Sequence, residues 1–543
     1  MSLNWRRQHK WSSLAATFFL ITLCLSGILL NHRNVTDTVS VSRSLLPPFY
    51  HYHDWNLGLM RGTLPTDIDS TVIIYGNAGI WLHSLRDHST VDFNKGIPSE
   101  PCARQILSVK RYGGKLLALS PGALYVRTDG DDRWHPLAPD NSALDPEERM
   151  SDMTITGDTL LLTGRSNLYA ATGGTLIFRK ITLSRPDEEG FGKTTLFRTV
   201  WSAHSGELFG LPGRLVADTL ALVLTALCLT GLALWLLPKL VKRRAREKLN
   251  TKNLTHSLKL NILLHRKLGY WTVAFTLFIC LTGWLLRPPF LLALVHVRTS
   301  PPPGSTLRSD NPWNDKLRMA RHDGKTGRWL LLTSEGAYSL EKLEGSNHVP
   351  QKTASQPPVS VMGPTVFEEE ADGKWIVGSF SGLYNWSPSE GTVTDWFTGE
   401  RITKRTSAPF GKKAISGFSI DLGNTPAAVL YDKGTTDLGQ PEEMRYLPMS
   451  LWQVALETHT GRVFFGNAAT WFYITVIGGV VLWCLISGFA MVISRRKNHR
   501  GRISPRSQLQ KSGQAITRSE SKPAAADSRS FGTRNMRTPR TMR

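Results

Sequence analysis

Cys24-Leu25-Ser26-Gly27, Cys228-Leu229-Thr230-Gly231, Cys280-Leu281-Thr282-Gly283 and Cys484-Leu485-Ile486-Ser487-Gly488 stand near one end of four long apolar stretches in this 543-residue chain. A small residue followed by glycine, repeated in every stretch, marks places where helices or a flat cofactor come very close to backbone. The stretches run from Trp11 to Leu30, from about Leu215 to Leu237, from Tyr270 to Leu286 and from Trp471 to Ile493. Each has about 20 nearly uncharged residues, enough to cross ~30 Å of hydrocarbon as a helix. The sequence therefore predicts a membrane protein with four crossings and an internal repeat.

Working outward, the chain divides into a cytoplasmic stub (1–10), a first span (11–32), a β-rich extracytoplasmic segment (33–203) and a second span with its entrance (204–238). A basic cytoplasmic loop (239–264), a third span (265–296), a second β-rich segment (297–458), a fourth span with its entrance (459–494) and a basic, disordered cytoplasmic tail (495–543) follow. The stub, the loop and the tail carry +3, +7 and +12, which is the whole net charge of +22. All three fall on one side of a four-pass chain, so the positive-inside rule puts both termini in the cytoplasm and both large segments outside. In a bacterial cell that means inner membrane and periplasm.

The basic balance is not a nucleic-acid signature. It is split among short juxtamembrane pieces, where it sets topology and meets anionic headgroups of the lipid bilayer. Four of the five cysteines lie in the apolar stretches, leaving only Cys102 outside, so no disulfide within the large segments is available. The four are expected to be packing residues.

Residues 9–33 align without gaps to 265–289, pairing His9 with His265, Phe19 with Phe275, Cys24 with Cys280 and Gly27 with Gly283. A discarded signal peptide has no reason to match a membrane span, so the first span is expected to be a retained anchor. The second and fourth spans share an entrance, His204-Ser205-Gly206 and His459-Thr460-Gly461. The bundle thus reads as duplicated two-helix units, each with one histidine at the cytoplasmic end and one at the outer entrance.

These elements, with Leu264-His265-Arg266-Lys267-Leu268-Gly269, resemble the PepSY-associated transmembrane helix family over about a quarter of the chain. Leu46-Pro47-Pro48-Phe49-Tyr50, Arg287-Pro288-Pro289 and Gly378-Ser379-Phe380-Ser381-Gly382 are similar to a branch of it with large extracytoplasmic domains. The small α/β domain that names the family is not recognisable. The resemblance implies an iron-regulated inner-membrane protein that reduces siderophore-bound or otherwise chelated ferric iron, using b-type haem on helix-end histidines.

A two-fold axis normal to the membrane brings His9 opposite His265 and His204 opposite His459, giving two bis-histidine sites, one at each membrane face. Gly27 and Gly283 are available at the outer level, and Gly231 and Gly488 at the inner, where a porphyrin needs close backbone approach. Imidazole is an axial haem ligand. Arg266 inside and Arg287 outside are candidate partners for propionates. Histidine at a helix end is also an ordinary interfacial residue; four in matched positions favour ligation. His32 competes as an outer ligand, but its repeat partner is Pro288. Asp218, an acid at membrane depth, is expected to make an outer-edge polar contact.

In the large segments, apolar strands ending in an aromatic recur at Ile73–Trp81, Leu116–Tyr125, Leu160–Tyr169, Trp329–Tyr338 and Trp375–Tyr384. A step near 45 residues fits a four-stranded propeller blade of roughly 40–50 residues. About three blades per segment are expected, either as one propeller split into two halves or as two separate β-rich domains. No Gly-x-Ser-x-Gly elbow, zinc helix, phosphate loop or nucleotide fingerprint is present. The electron donor is then a quinol or another protein. A cofactor-free anchored propeller that binds or senses a ligand is the alternative, and a transporter ranks third.

Overall fold

A computed structural model describes residues 4–516 except 69, 138–142, 346–347, 361, 372, 404–412 and 424. The apolar stretches form helices because nothing in hydrocarbon but their own backbone can satisfy their N–H and C=O groups. The helices are α1 (Trp5–Asn31), α2 (Arg33–Thr36), α3 (Leu196–Ser205), α4 (Gly210–Arg246), α5 (Lys252–Leu285), α6 (Phe290–His296), α7 (Leu451–His459) and α8 (Arg462–Ile516). Four of them are long and apolar enough to cross a membrane: α1, α4, α5 and the 469–494 part of α8.

The helices outrun the apolar windows. The Asn4 side chain caps α1 by accepting the Arg7 N–H at 3.2 Å. Most of the expected basic loop is helical, because Lys and Arg are good helix formers; only residues 247–251 lie between α4 and α5. Helix α8 breaks at Gly466, where φ is 61°, and then runs to Ile516, into the stretch expected to be disordered. Residues 517–543 of that tail lie outside the described residues.

Helices α1 and α5 each pack along both α4 and α8, which makes a four-membered ring of helices. Small residues set how closely they cross. A Cβ on Gly478 of α8 would lie 2.1 Å from Trp284 Cδ1 of α5, whose Nε1 donates to the Thr475 carbonyl at 3.1 Å. After α3 the chain doubles back through Gly206, at φ 79°, where a Cβ would meet the Gly213 carbonyl at 2.1 Å. Gly461 holds the same left-handed turn after α7, at φ 77°. Glycine thus follows each entrance histidine because the turn demands it.

Three four-stranded antiparallel meanders, spanning 62–92, 108–136 and 150–181, lie between α2 and α3. Two more, 317–352 and 364–395, and a two-stranded sheet, 415–430, lie between α6 and α7. All six sheets are open. The aromatics Trp81, Tyr125, Tyr169, Tyr338 and Tyr384 fall on the third strand of their four-stranded sheets. The first strands adjoin in chain order: Gly62–Pro65, Ser108–Tyr112, Met150–Thr156, Leu317–Asp323, Pro364–Ala371 and Ile415–Ser419, with the last against the first again.

The two segments share a core. Leu161, Leu168 and Phe191 of the first pack with Trp313, Leu331 and Tyr338 of the second. Arg321 of the second donates to buried Asp152 of the first. Two short ribbons tie the sheets to the helices: Ser40–Val41 with Met449–Ser450, and Thr194–Thr195 with Arg298–Thr299.

Candidate functional site

The four predicted histidines meet in two couples. The His9 and His265 ring centroids are 6.2 Å apart, and so are those of His204 and His459. Seventeen residues separate His9 from Ser26 on α1, and His265 from Thr282 on α5, so the couples stand about 25 Å apart along the bundle.

Each imidazole is seated on a different helix, in the repeated small-residue–glycine motif. His204 lies on α5 at Gly283, His459 on α1 at Gly27, His265 on α4 at Gly231 and His9 on α8 at Gly488. A Cβ on those glycines would stand 2.7, 3.3, 3.6 and 3.0 Å from the imidazole Cε1 in turn. All four glycines are at the predicted levels. Among the protein atoms, their immediate neighbour is an imidazole edge.

The hydroxyl before each glycine completes the seat. Nδ1 of His459 lies 3.0 Å from Ser26 Oγ and 3.0 Å from the Leu23 carbonyl. Nδ1 of His204 is 3.2 Å from Thr282 Oγ1 and 2.9 Å from the Ile279 carbonyl. His265 Nδ1 is 2.8 Å from Thr230 Oγ1, and His9 Nδ1 is 2.9 Å from the Cys484 carbonyl and 3.4 Å from Ser487 Oγ. Each hydroxyl donates its own proton to a carbonyl one turn back on its helix: Ser26 to Thr22, Thr230 to Ala226, Thr282 to Phe278, Ser487 to Cys484. The lone pairs left facing Nδ1 can only accept. Nδ1 therefore carries the imidazole proton, and Nε2 presents a lone pair.

Among the described residues no hydrogen bond reaches Nε2 of any of the four. An imidazole nitrogen binds a first-row metal ion at about 2 Å, so two rings on opposite sides of one ion have centroids about 6 Å apart. Both couples have that separation. The donor set, the tautomer and the glycine seats fit a bis-imidazole metal centre, and the fixed Nδ1–H is the outer contact such ligands require.

Nearby groups sort themselves around the couples. Asp218 of α4 accepts from Asn31 Nδ2 at 2.7 Å and lies 3.1 Å from His32 Nε2, so His32 is occupied at the outer edge, as the broken symmetry predicts. Arg287 follows the Gly283 seat by one turn, whereas Arg266 is exposed. Glu457 of α7 is held by Arg462 Nε and by the Tyr50 hydroxyl, each at 2.7 Å. All five cysteines are free thiols, with Cys484 Sγ 3.7 Å from His9 Nδ1. Among the described residues no group of three or more His, Cys, Asp or Glu converges as a metal cage.

Residues 5–237, which carry His9, Gly27, His204 and Gly231, match the family model described as the PepSY-associated TM region. The chain resembles the PepSY-associated TM family. The ring partners of His9 and His204, which are His265 and His459, lie beyond the matched stretch. Comparison with curated proteins returns no match. Among solved structures, the chain is similar to the extracellular domain of the hybrid two component system BT4673 from B. thetaiotaomicron. The identity there is 9%, over 70% of this chain and 32% of that one, with a TM-score of 0.32. It is also similar to the N-terminal domain of Nup159, at 11% identity over 72% of this chain and 90% of that one, with a TM-score of 0.29. The chain thus spans about a third of the length of the first of these.

Proposed function

We propose that this chain is a transmembrane electron carrier of the bacterial inner membrane. Two b-type haems, one held by His9 and His265 and one by His204 and His459, would serve an extracytoplasmic acceptor such as chelated, siderophore-bound ferric iron. The observation that carries the reading is the pair of imidazole couples at 6.2 Å, each Nδ1 tied down and each Nε2 without a hydrogen bond among the described residues. Bound haem supplies one-electron chemistry at each level. The residues of the chain do the rest: the Ser/Thr hydroxyls and carbonyls fix the ring planes, the glycines admit the imidazole edges, and the apolar helices keep water away.

The duplication reading is supported by the exchange of seats, α1 with α7–α8 and α5 with α3–α4. We read the six sheets as blades of one propeller, because their first strands adjoin in chain order and return to the start. The placement of Lys and Arg supports cytoplasmic termini and periplasmic sheets. The donor would be a quinol or a protein.

The test is spectroscopic. Protein purified in detergent from haem-replete cells should be red, with a Soret band that sharpens on reduction, and His204→Ala or His459→Ala should each remove about half the haem. A colourless wild-type preparation overturns the proposal and leaves a cofactor-free, membrane-anchored binding module.

A further inference from the structure

The two-fold relation between the helix pairs fails at one place on the outer side, and the failure leaves a charge there. Four residues after Gly27 stands Asn31, and four residues after Gly283 stands Arg287. Thirteen residues before Gly231 stands Asp218, and thirteen before Gly488 stands Thr475. On one side the neutral amide meets the carboxylate, Asn31 Nδ2 donating to Asp218 Oδ1 at 2.7 Å. On the other, the position equivalent to the acid holds a hydroxyl, which donates to the Pro288 carbonyl at 3.2 Å.

Arg287 therefore lacks the carboxylate its repeat mate enjoys. Among the described residues its guanidinium makes no ion pair. Glu457 of α7 is bonded to Arg462 and Tyr50. Arg287 is half-buried just past the C-terminal end of α5, four residues beyond the Gly283 seat of His204. The cations near the inner couple, Arg6, Arg7, Lys10 and Arg266, are exposed at the membrane face, where water and salt screen them.

Ferric haem carries one more positive charge than ferrous, so an unscreened cation beside it favours the reduced form. We propose that Arg287 raises the reduction potential of a haem held by His204 and His459 above that of one held by His9 and His265, so that at equilibrium the electron resides on the outer side. This rests on the haem reading of the two couples and adds its direction.

The test is a redox titration of the full-length protein in detergent, followed by haem absorbance, with His204→Ala used to identify which midpoint belongs to the outer level. The wild type should give two midpoints, the outer one higher. Arg287→Gln should lower the outer midpoint alone by roughly tenfold in the redox equilibrium, about 59 mV for one electron. Arg287→Lys should keep it near the wild-type value. Equal effects of Gln and Lys, an unchanged outer midpoint, a shift in the inner one, or loss of the outer haem from Arg287→Gln each overturn the proposal. Failure of the haem reading itself would show earlier, as a wild-type protein without a Soret band.

Discussion

Gly283 and His204 are in contact so close that a single methyl would displace the ring: a Cβ on Gly283 would lie 2.7 Å from His204 Cε1 and 3.3 Å from both nitrogens. The imidazole cannot tilt away freely, since its Nδ1 is tied to the Ile279 carbonyl and Thr282 Oγ1. Gly283→Ala should therefore cost about 1–3 kcal/mol of overpacking. Measured as thermal stability and haem content, the damage should fall in the order Gly283→Ala, Gly488→Ala, Gly27→Ala, Gly231→Ala, following clearances of 2.7, 3.0, 3.3 and 3.6 Å. A flat series would show that these glycines do not set the ring positions.

Thr282→Val keeps the volume and removes the hydroxyl that faces His204 Nδ1, while the Ile279 carbonyl remains. Loss of such an outer contact typically weakens metal binding 10–100-fold. We expect haem at the outer level to dissociate faster by that order, read by transfer to an apo-haem acceptor, with the inner level unchanged.

These two expectations mark what the sequence could and could not tell. The four histidines were legible because similar stretches of sequence surround them, and the structure brings them together in two couples. The glycines were legible as places of close approach to backbone, but spacing does not say that an imidazole edge is what approaches. Ser26, Thr230, Thr282 and Ser487 read as ordinary packing residues. Their role needed the side-to-side order of the helices, which places His9 on α8 rather than on α4. The constant hydroxyl just before each glycine was the signal available. In the sheets, the repeated strand, turn and aromatic was legible as a step between sheets, whereas the ribbons at 40–41 and 194–195 are two residues per strand and too short to leave a pattern.

Asp152 and Arg321 form a buried ion pair across the two sheet segments, with side chains 4% and 10% exposed. Removing Asp152 leaves Arg321 with only the longer contact to half-exposed Glu368, at 3.5 Å, so the cost approaches the about 3–5 kcal/mol of a broken buried pair. Asp152→Ala should lower the unfolding temperature of the sheet region sharply, by calorimetry. Asp152→Leu with Arg321→Met should recover much of the loss.

Asp315 joins three parts of the molecule: its carboxylate is 2.8 Å from Arg165 Nε of the first segment and 2.7 Å from Arg198 Nη1 of α3, the helix that carries His204. Burial pushes its pKa up, but Arg165, Arg198 and Arg318 together hold it below the ordinary 3.8. A depressed acid contributes its full stability above the unfolded value and loses it as pH falls through the folded one. Asp315→Asn, which tolerates the left-handed φ of 57° there, should cost about 1 kcal/mol per partly exposed pair at neutral pH. Unfolding curves of wild type and variant should converge as the pH drops below 3.8.

The ribbons at Ser40–Val41 with Met449–Ser450 and at Thr194–Thr195 with Arg298–Thr299 give the molecule two hinges of attachment. From one hang α1, α7 and α8 and from the other α3, α4 and α5, and each histidine couple draws one ring from each group. The spacing between opposing imidazoles is therefore tied to the sheets as well as to helix packing, so a substitution that loosens either ribbon should be felt at both couples.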